Sequence, residues 1–333
     1  MTSTSVITIA VDAMGGDFAP RAVLEGVSAA LAADPSLRVL LVGSAEAVEP
    51  FAMVNDHCEA VATSQVIEMG EHPAAAVRGK KDSSIVVGCR LVKEGRADGF
   101  FSAGSTGAAM AAATLVIGRI KGVQRPAIAT VLPTAGAPCV LLDVGANADC
   151  KPEHLAQFAA MGAAYATAAL GIRAPRVGLL NIGEEPGKGS QLAQDAYDLM
   201  VGTPGFVGNV EGRDIPAGTV DVIVTDGFTG NVVLKLMEGM SKHLLGEFKT
   251  ALMSSPVNKV AAAVLKPSLG ALRDKLDPDL HGAAPLLGVD GLALIGHGSS
   301  SPRAIASALR VGAVAVRAGL VDSIAASLGR EGA

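Results

Sequence analysis

The sequence has no tryptophan and two tyrosines, and aromatic residues make up 3% of its 333 positions. Few ring faces are therefore on offer for stacking single-stranded bases. Positive charge is in the minority, with 27 Lys+Arg against 32 Asp+Glu and a formal net charge of −5. Nucleic-acid binders usually carry the opposite footprint, so nucleic acid is not an expected partner. The four cysteines, Cys58, Cys89, Cys139 and Cys150, form no C-x-x-C pair. Each is expected to be a small buried apolar residue in a reducing compartment. Neither H-x-x-H nor H-E-x-x-H occurs, so no metal is expected. A G-x-S-x-G elbow is missing, and the glycines after the first apolar run, Gly15 and Gly16, are adjacent and do not spell G-x-G-x-x-G. A serine hydrolase is thereby disfavoured and dinucleotide binding weakened; no cofactor is expected. The opening MTSTSVITIAVDAMGG lacks the basic start and apolar stretch of a secretion signal, which points to a cytoplasmic protein. The longest weakly polar run, FAAMGAAYATAALGI at 158–172, falls short of the ~20 apolar residues of a membrane span and reads as a core helix.

What is present is small and apolar: half of the residues are hydrophobic and 40 are glycine. Short β-branched runs alternate with alanine-rich segments, the pattern of parallel strands covered by helices. Strands are expected at 6–11, 37–43, 98–103, 127–132, 139–144, 176–182, 220–225 and 292–296. Helices are expected at 19–33, 83–95, 106–118, 152–170, 190–201, 229–253, 257–276 and 302–318. No repeat or linker divides the chain, so residues 1–333 read as a single doubly wound, three-layer α/β/α domain with a helical excursion at 229–276.

In such sheets ligands bind where strand ends lead into helix starts. In FSAGSTGAAM, the residues Gly104, Ser105, Thr106 and Gly107 can direct backbone N–H groups and two hydroxyls at an anion. The plainer alternative is that Ser105 or Thr106 caps the helix. In NIGEEPGKGSQ, Lys188 stands between Gly187 and Gly189, close to a phosphate-binding P-loop. The match fails twice, because Gly183 is one residue too near Gly187 and Gly189 stands where a metal-binding hydroxyl belongs. TDGFTGNVV gathers Asp226, Thr229 and Asn231 around Gly227 and Gly230, and Thr229 or Asn231 could equally be a helix cap. DVGANADCKPEHL adds Asn147, and GHGSSSP adds His297, expected at the same sheet edge and suited to acid–base work.

The 229–276 stretch has helical apolar spacing through Met237, Met240, Leu244, Leu245, Phe248 and Leu252. From Lys235 to Lys275 it holds seven Lys+Arg and three acids, a local +4 that includes Lys242, Lys249, Lys259, Lys266 and Arg273. An acidic partner or a membrane surface would suit that charge, and a helix pair packed in a homodimer would suit the apolar spacing.

Taken in order, VDAMGGDFAP, SAGSTGA, DVGAN, NIGEEPGKG, NVEGRDI, TDGFTGNVVLK and GHGSSSP, with GAAPLLG, resemble the PlsX-type phosphate acyltransferase family of bacterial phospholipid synthesis, from about Ile7 to Val321. The resemblance implies a fold similar to isocitrate and isopropylmalate dehydrogenases and to phosphotransacetylase. It implies transfer of a long-chain acyl group from acyl carrier protein to inorganic phosphate by a homodimer, with peripheral membrane contact and a membrane acyltransferase as partner. Under it, Lys188, Asn231 and His297 are the catalytic candidates, residues 104–107 hold phosphate, and Asn147, Asp226 and Thr229 bind substrate. The five basic residues of the excursion would face the carrier protein or the membrane. Family members often have His where this chain has Phe18, which suggests a structural role at that position. A P-loop-like nucleotide hydrolase and a non-enzymatic membrane scaffold are the competing readings.

Overall fold

The computed structural model describes residues 5–275 and 282–329, apart from the side chains of residues 268 and 271–275. Eleven strands are described: β1 (Ile7–Asp12), β2 (Leu37–Gly43), β3 (Cys58–Ala62), β4 (Gly99–Ser102), β5 (Ala127–Leu132), β6 (Cys139–Leu142), β7 (Val177–Leu180), β8 (Phe206–Val210), β9 (Val222–Val224), β10 (Ala284–Leu287) and β11 (Leu292–Ile295). Twelve α-helices accompany them: α1 (Arg21–Ala33), α2 (Ala45–Ala52), α3 (Pro73–Gly79), α4 (Ser84–Lys93), α5 (Thr106–Ala112), α6 (Pro152–Leu170), α7 (Gln191–Met200), α8 (Asp214–Ala217), α9 (Gly227–Met253), α10 (Pro256–Lys275), α11 (Pro302–Arg317) and α12 (Leu320–Gly329). The α5 helix continues as a π-helical turn through Ala113–Ile117.

All the strands join one sheet in the order β3-β2-β1-β4-β11-β10-β5-β6-β9-β7-β8. Two parallel blocks, β3 to β11 and β6 to β8, flank an antiparallel centre in which β10 opposes both β11 and β5, and β5 opposes β6. The second block therefore runs opposite to the first. This differs from a uniformly parallel sheet, and it sends the strand-end loops of the two blocks to opposite ends.

Alternation along the strands divides the core between the two faces. Phe101, Ile9, Val11, Val39 and Leu41 belong to one buried cluster, whereas Phe100, Ala10, Leu40 and Val42 belong to the other. The run at 158–172 lies largely within α6, with Phe158, Met161 and Tyr165 buried, so its reading as a core helix holds. No single described helix is long and apolar enough to cross a membrane. The excursion is a helical hairpin in which α10 packs on α9. Along α9, Phe228, Val232, Leu236, Met240, Leu244 and Phe248 recur every fourth residue and are all exposed, an uncovered ridge of the kind that interdigitates with another helix.

Candidate active site

A cavity of about 390 Å³ lies between α9 and the strands β5 and β10. Ile128, Val131, Leu132, Leu234 and Met237 make its wall mostly apolar, and Thr106, Asn231 and His297 also line it. Lys242, eleven positions after Asn231 on α9, lines the cavity too, so the helix borders it for about 16 Å at 1.5 Å per residue. The helix thereby connects loops that the reversed strand blocks would otherwise keep apart.

The start of α9 is anchored twice. Asp226 is its N-cap, with Oδ1 accepting from the Thr229 N–H at 2.9 Å and Oδ2 accepting from the Thr229 hydroxyl at 2.8 Å. The cap is thus Asp226, and neither Thr229 nor Asn231 serves as one. Beneath the helix, the buried Asp143 carboxylate gathers the loop after β6. Its Oδ1 accepts from the backbone N–H groups of Ile128, Gly145 and Ala146 at 3.0, 3.2 and 3.0 Å. Its Oδ2 accepts from the Asn147 N–H at 2.7 Å and from Asn147 Nδ2 at 2.9 Å. Burial still pushes the Asp143 carboxyl above its usual range despite those donors. Asn147 Nδ2 also reaches the Pro126 carbonyl at 2.8 Å, so its amide protons serve this knot. A Cβ at Gly230 would collide with the Asp143 carbonyl oxygen, so glycine permits the close approach that leaves Asn231 beside Gly145.

After β4, Ser105 caps α5, its hydroxyl accepting from the Ala108 N–H at 3.4 Å. That bears out capping for Ser105, while Thr106 is exposed and lines the cavity. The Gly104 N–H is already committed to the Ser102 hydroxyl at 3.0 Å. His297 Nδ1 lies 2.8 Å from the Ser299 hydroxyl and accepts from the Ser299 N–H at 3.2 Å. A neutral ring therefore carries its proton on Nε2.

Lys188 stands apart from this group. It is exposed on the loop between β7 and α7, at the same sheet end as the start of α9 but outside the cavity lining. Lys242, Lys249, Lys259 and Lys266 are exposed on the hairpin; Arg273 belongs to α10, with its side chain outside the described part. Phe18 is exposed and also outside the cavity lining. Burial pushes the thiols of Cys58 and Cys139 up to about 12 and that of Cys150 up to about 11, and it raises Cys89 as well. None of the four is thus a ready thiolate nucleophile at neutral pH. Among the described residues no group of three or more His, Cys, Asp or Glu could hold a metal ion.

Sequence reasoning missed Asp12, Ser102 and Asp143 as organisers of these loops. The available signal was an aspartate ending or directly following an apolar strand, just before a glycine-rich turn.

The comparisons agree with this architecture. The family model described as "Fatty acid synthesis protein" matches residues 7–322. A protein of Desulfitobacterium hafniense named "Phosphate acyltransferase" is 50% identical over 327 residues, covering 97% of this chain and 98% of its own. One of the same name from Heliobacterium modesticaldum is 51% identical over 322 residues, covering 95% and 96%. In structure, a phosphotransacetylase from Streptococcus pyogenes matches with TM-score 0.62 at 18% identity, covering 93% of this chain and 94% of that one. A 4-hydroxythreonine-4-phosphate dehydrogenase from Klebsiella pneumoniae matches at 0.52 and 13%, covering 92% and 98%, so both share the fold. With half of its residues shared along nearly the full length of such relatives, the chain belongs to the phosphate acyltransferase family and is an enzyme of that family.

Proposed function

We propose that this enzyme moves a long-chain fatty acyl group from acyl carrier protein to inorganic phosphate, giving acyl phosphate and free carrier protein for bacterial phospholipid synthesis. The observation that carries the reading is that Thr106, Asn231 and His297 share one mostly apolar cavity. Such a wall suits methylenes, each worth about 0.8 kcal/mol when buried. The start of α5, with the Thr106 hydroxyl, suits a small anion.

In this reading phosphate rests on residues 104–107 and one of its oxygens attacks the thioester carbonyl carbon. The Asn231 amide donates to the oxyanion of the tetrahedral intermediate. As the intermediate collapses, the C–S bond breaks, the new C–O bond to phosphate remains, and the thiolate leaves with the electron pair. A thiol of pKa about 8.5 is a good leaving group, so the hydrogen bond that His297 Nε2–H can offer the departing thiolate assists without being essential, and the thiolate takes its proton from water. No acyl-enzyme is required, in keeping with the raised thiol pKa values. Asp226, Thr229 and Asn147 keep Asn231 in place, and Lys188, at the Asn231 end of the sheet, adds positive charge that attracts the phosphate dianion over a longer range.

The basic residues of the hairpin, Lys242, Lys249, Lys259, Lys266 and Arg273, would meet the acidic carrier protein or an anionic membrane surface. The α9 ridge would pack against a second copy in a homodimer. The enzyme would then be cytoplasmic and peripheral at the membrane, handing its product to a membrane acyltransferase. Thiol release from acyl carrier protein tests the reading: release should require inorganic phosphate, and phosphate-independent release would contradict it.

A further inference from the structure

Asp12 ends β1 with 1% of its surface exposed. Burial raises its pKa, and its hydrogen-bonding partners are neutral: the hydroxyls of Ser102 and Ser84 and the backbone N–H groups of Met14 and Gly15. A buried carboxylate with neutral partners is costly compared with a neutral side chain of the same shape. The Ser102 hydroxyl donates to Asp12 Oδ2 at 2.6 Å, and its oxygen in turn accepts from the Gly104 N–H at 3.0 Å. Asp12 Oδ1 accepts from the Met14 N–H at 3.0 Å. The loops after β1 and β4 are pressed together here, since a Cβ on Gly15 would stand 2.5 Å from Asp12 Oδ2 and 2.6 Å from the Gly104 nitrogen. The Ser102 hydroxyl has one proton, and Asp12 claims it. A lone pair is therefore left facing the first residue of the 104–107 turn.

We infer that Asp12 is a positioning residue for phosphate binding, acting through Ser102 to fix the Gly104–Gly107 turn. It touches neither phosphate nor thioester. The inference rests on the reading that phosphate occupies that turn, and it adds the relay that aims the turn. The Ser105 cap ties the turn only to the helix that follows it; the Asp12–Ser102–Gly104 chain ties its entry to the centre of the first strand block.

The test compares Asp12→Asn, Ser102→Ala, Ser84→Ala and Thr106→Val in the full-length enzyme. Phosphate KM, kcat at saturating phosphate and the thermal shift caused by inorganic phosphate are measured for each. Asp12→Asn and Ser102→Ala are expected to raise phosphate KM about tenfold, the scale of one charge-assisted hydrogen bond. Their kcat should stay within about twofold, and the phosphate-induced thermal shift should shrink in parallel. Ser84→Ala removes a partner of Asp12 that does not lead to the turn, so it should lower thermal stability and leave phosphate KM unchanged. Thr106→Val should raise phosphate KM. If Thr106→Val raises it while Asp12→Asn and Ser102→Ala do not, Asp12 is a structural carboxylate and the inference fails. If Thr106→Val has no effect, the phosphate turn itself is misassigned. Ser102→Ala deletes a single oxygen and keeps the relay testable should Asp12→Asn fold poorly. Equal phosphate KM shifts in Ser84→Ala and Ser102→Ala would also overturn the inference, because the effect would then be general loosening around Asp12.

Discussion

Asn231 and His297 line one cavity although they follow strands that run in opposite directions, β9 and β11. The antiparallel pairings of β10 and β5 reverse the second block, and α9 brings Asn231 back to the wall that His297 shares. Substituting Asn231 therefore tests the proposed chemistry at its centre. Asn231→Ala should lower kcat by about 10²–10³, the usual effect of losing one oxyanion donor. Phosphate KM should change little. A loss confined to phosphate KM would make Asn231 a binding residue.

Lys188→Ala bears on attraction, since Lys188 lies outside the cavity lining. Phosphate KM should rise, and the difference from the unmodified enzyme should narrow as ionic strength increases. A normal phosphate KM at low salt would remove Lys188 from the account.

The thiols supply a chemical check. With Cys58, Cys139 and Cys150 pushed up to about 12, 12 and 11, alkylation at pH 7.5 should be slow and activity should survive it. Mass spectrometry after a single turnover should find no acyl group on any cysteine or serine. A stable acyl adduct that turns over would contradict direct attack by phosphate.

His154 should make stability depend on pH. Its surroundings lower its pKa from 6.5, first through burial and then through Arg125, so the fold favours the neutral ring. Below about pH 6.5 the unfolded chain takes up the proton first, and stability falls as pH drops toward the folded-state pKa. The His154→Gln variant should therefore lose less stability than the unmodified protein between pH 7 and 5.5 in calorimetric melts. Asp12 and Asp143 act in the other sense: their raised pKa values mean stability is lost as pH rises above 3.8. A constant gap between the two proteins across that range would exclude His154 as the responsible group.

Two pairs of substitutions test the interfaces proposed for the hairpin. Leu236→Glu with Leu244→Glu puts charge on the exposed α9 ridge and should convert a dimer to monomers in light scattering. Lys242→Glu with Lys249→Glu should instead weaken carrier-protein association, more at low salt than at high. An unchanged oligomer after the first pair would free the ridge for another role.

Much of the frame was readable because buried strands and long helices carry strong periodic signals. All eight expected strands are present, and α6 matches its expected bounds. Missed elements had weaker signals. The edge strand β3 reads CEAVA with an acid inside, β8 is interrupted by Gly208, and β10 begins Ala-Pro. Pro50 inside α2 and the short lengths of α3 and α8 concealed those helices. Strand direction was not readable, because a buried strand is apolar whichever way its neighbour runs. The same limit hid Asp12 and Asp143, whose role depends on donors brought from distant parts of the chain: Ser102 to one, Ile128 to the other.

The central claim is direct transfer of an acyl group from a carrier-protein thioester to phosphate. Its most direct test incubates the enzyme with long-chain acyl carrier protein and inorganic phosphate, then traps acyl phosphate with hydroxylamine. The account predicts acyl hydroxamate in amounts equal to the carrier thiol released, dependent on phosphate and formed about 10²–10³ times more slowly by Asn231→Ala. Thiol release without hydroxamate, or no reaction in the presence of both substrates, would contradict it.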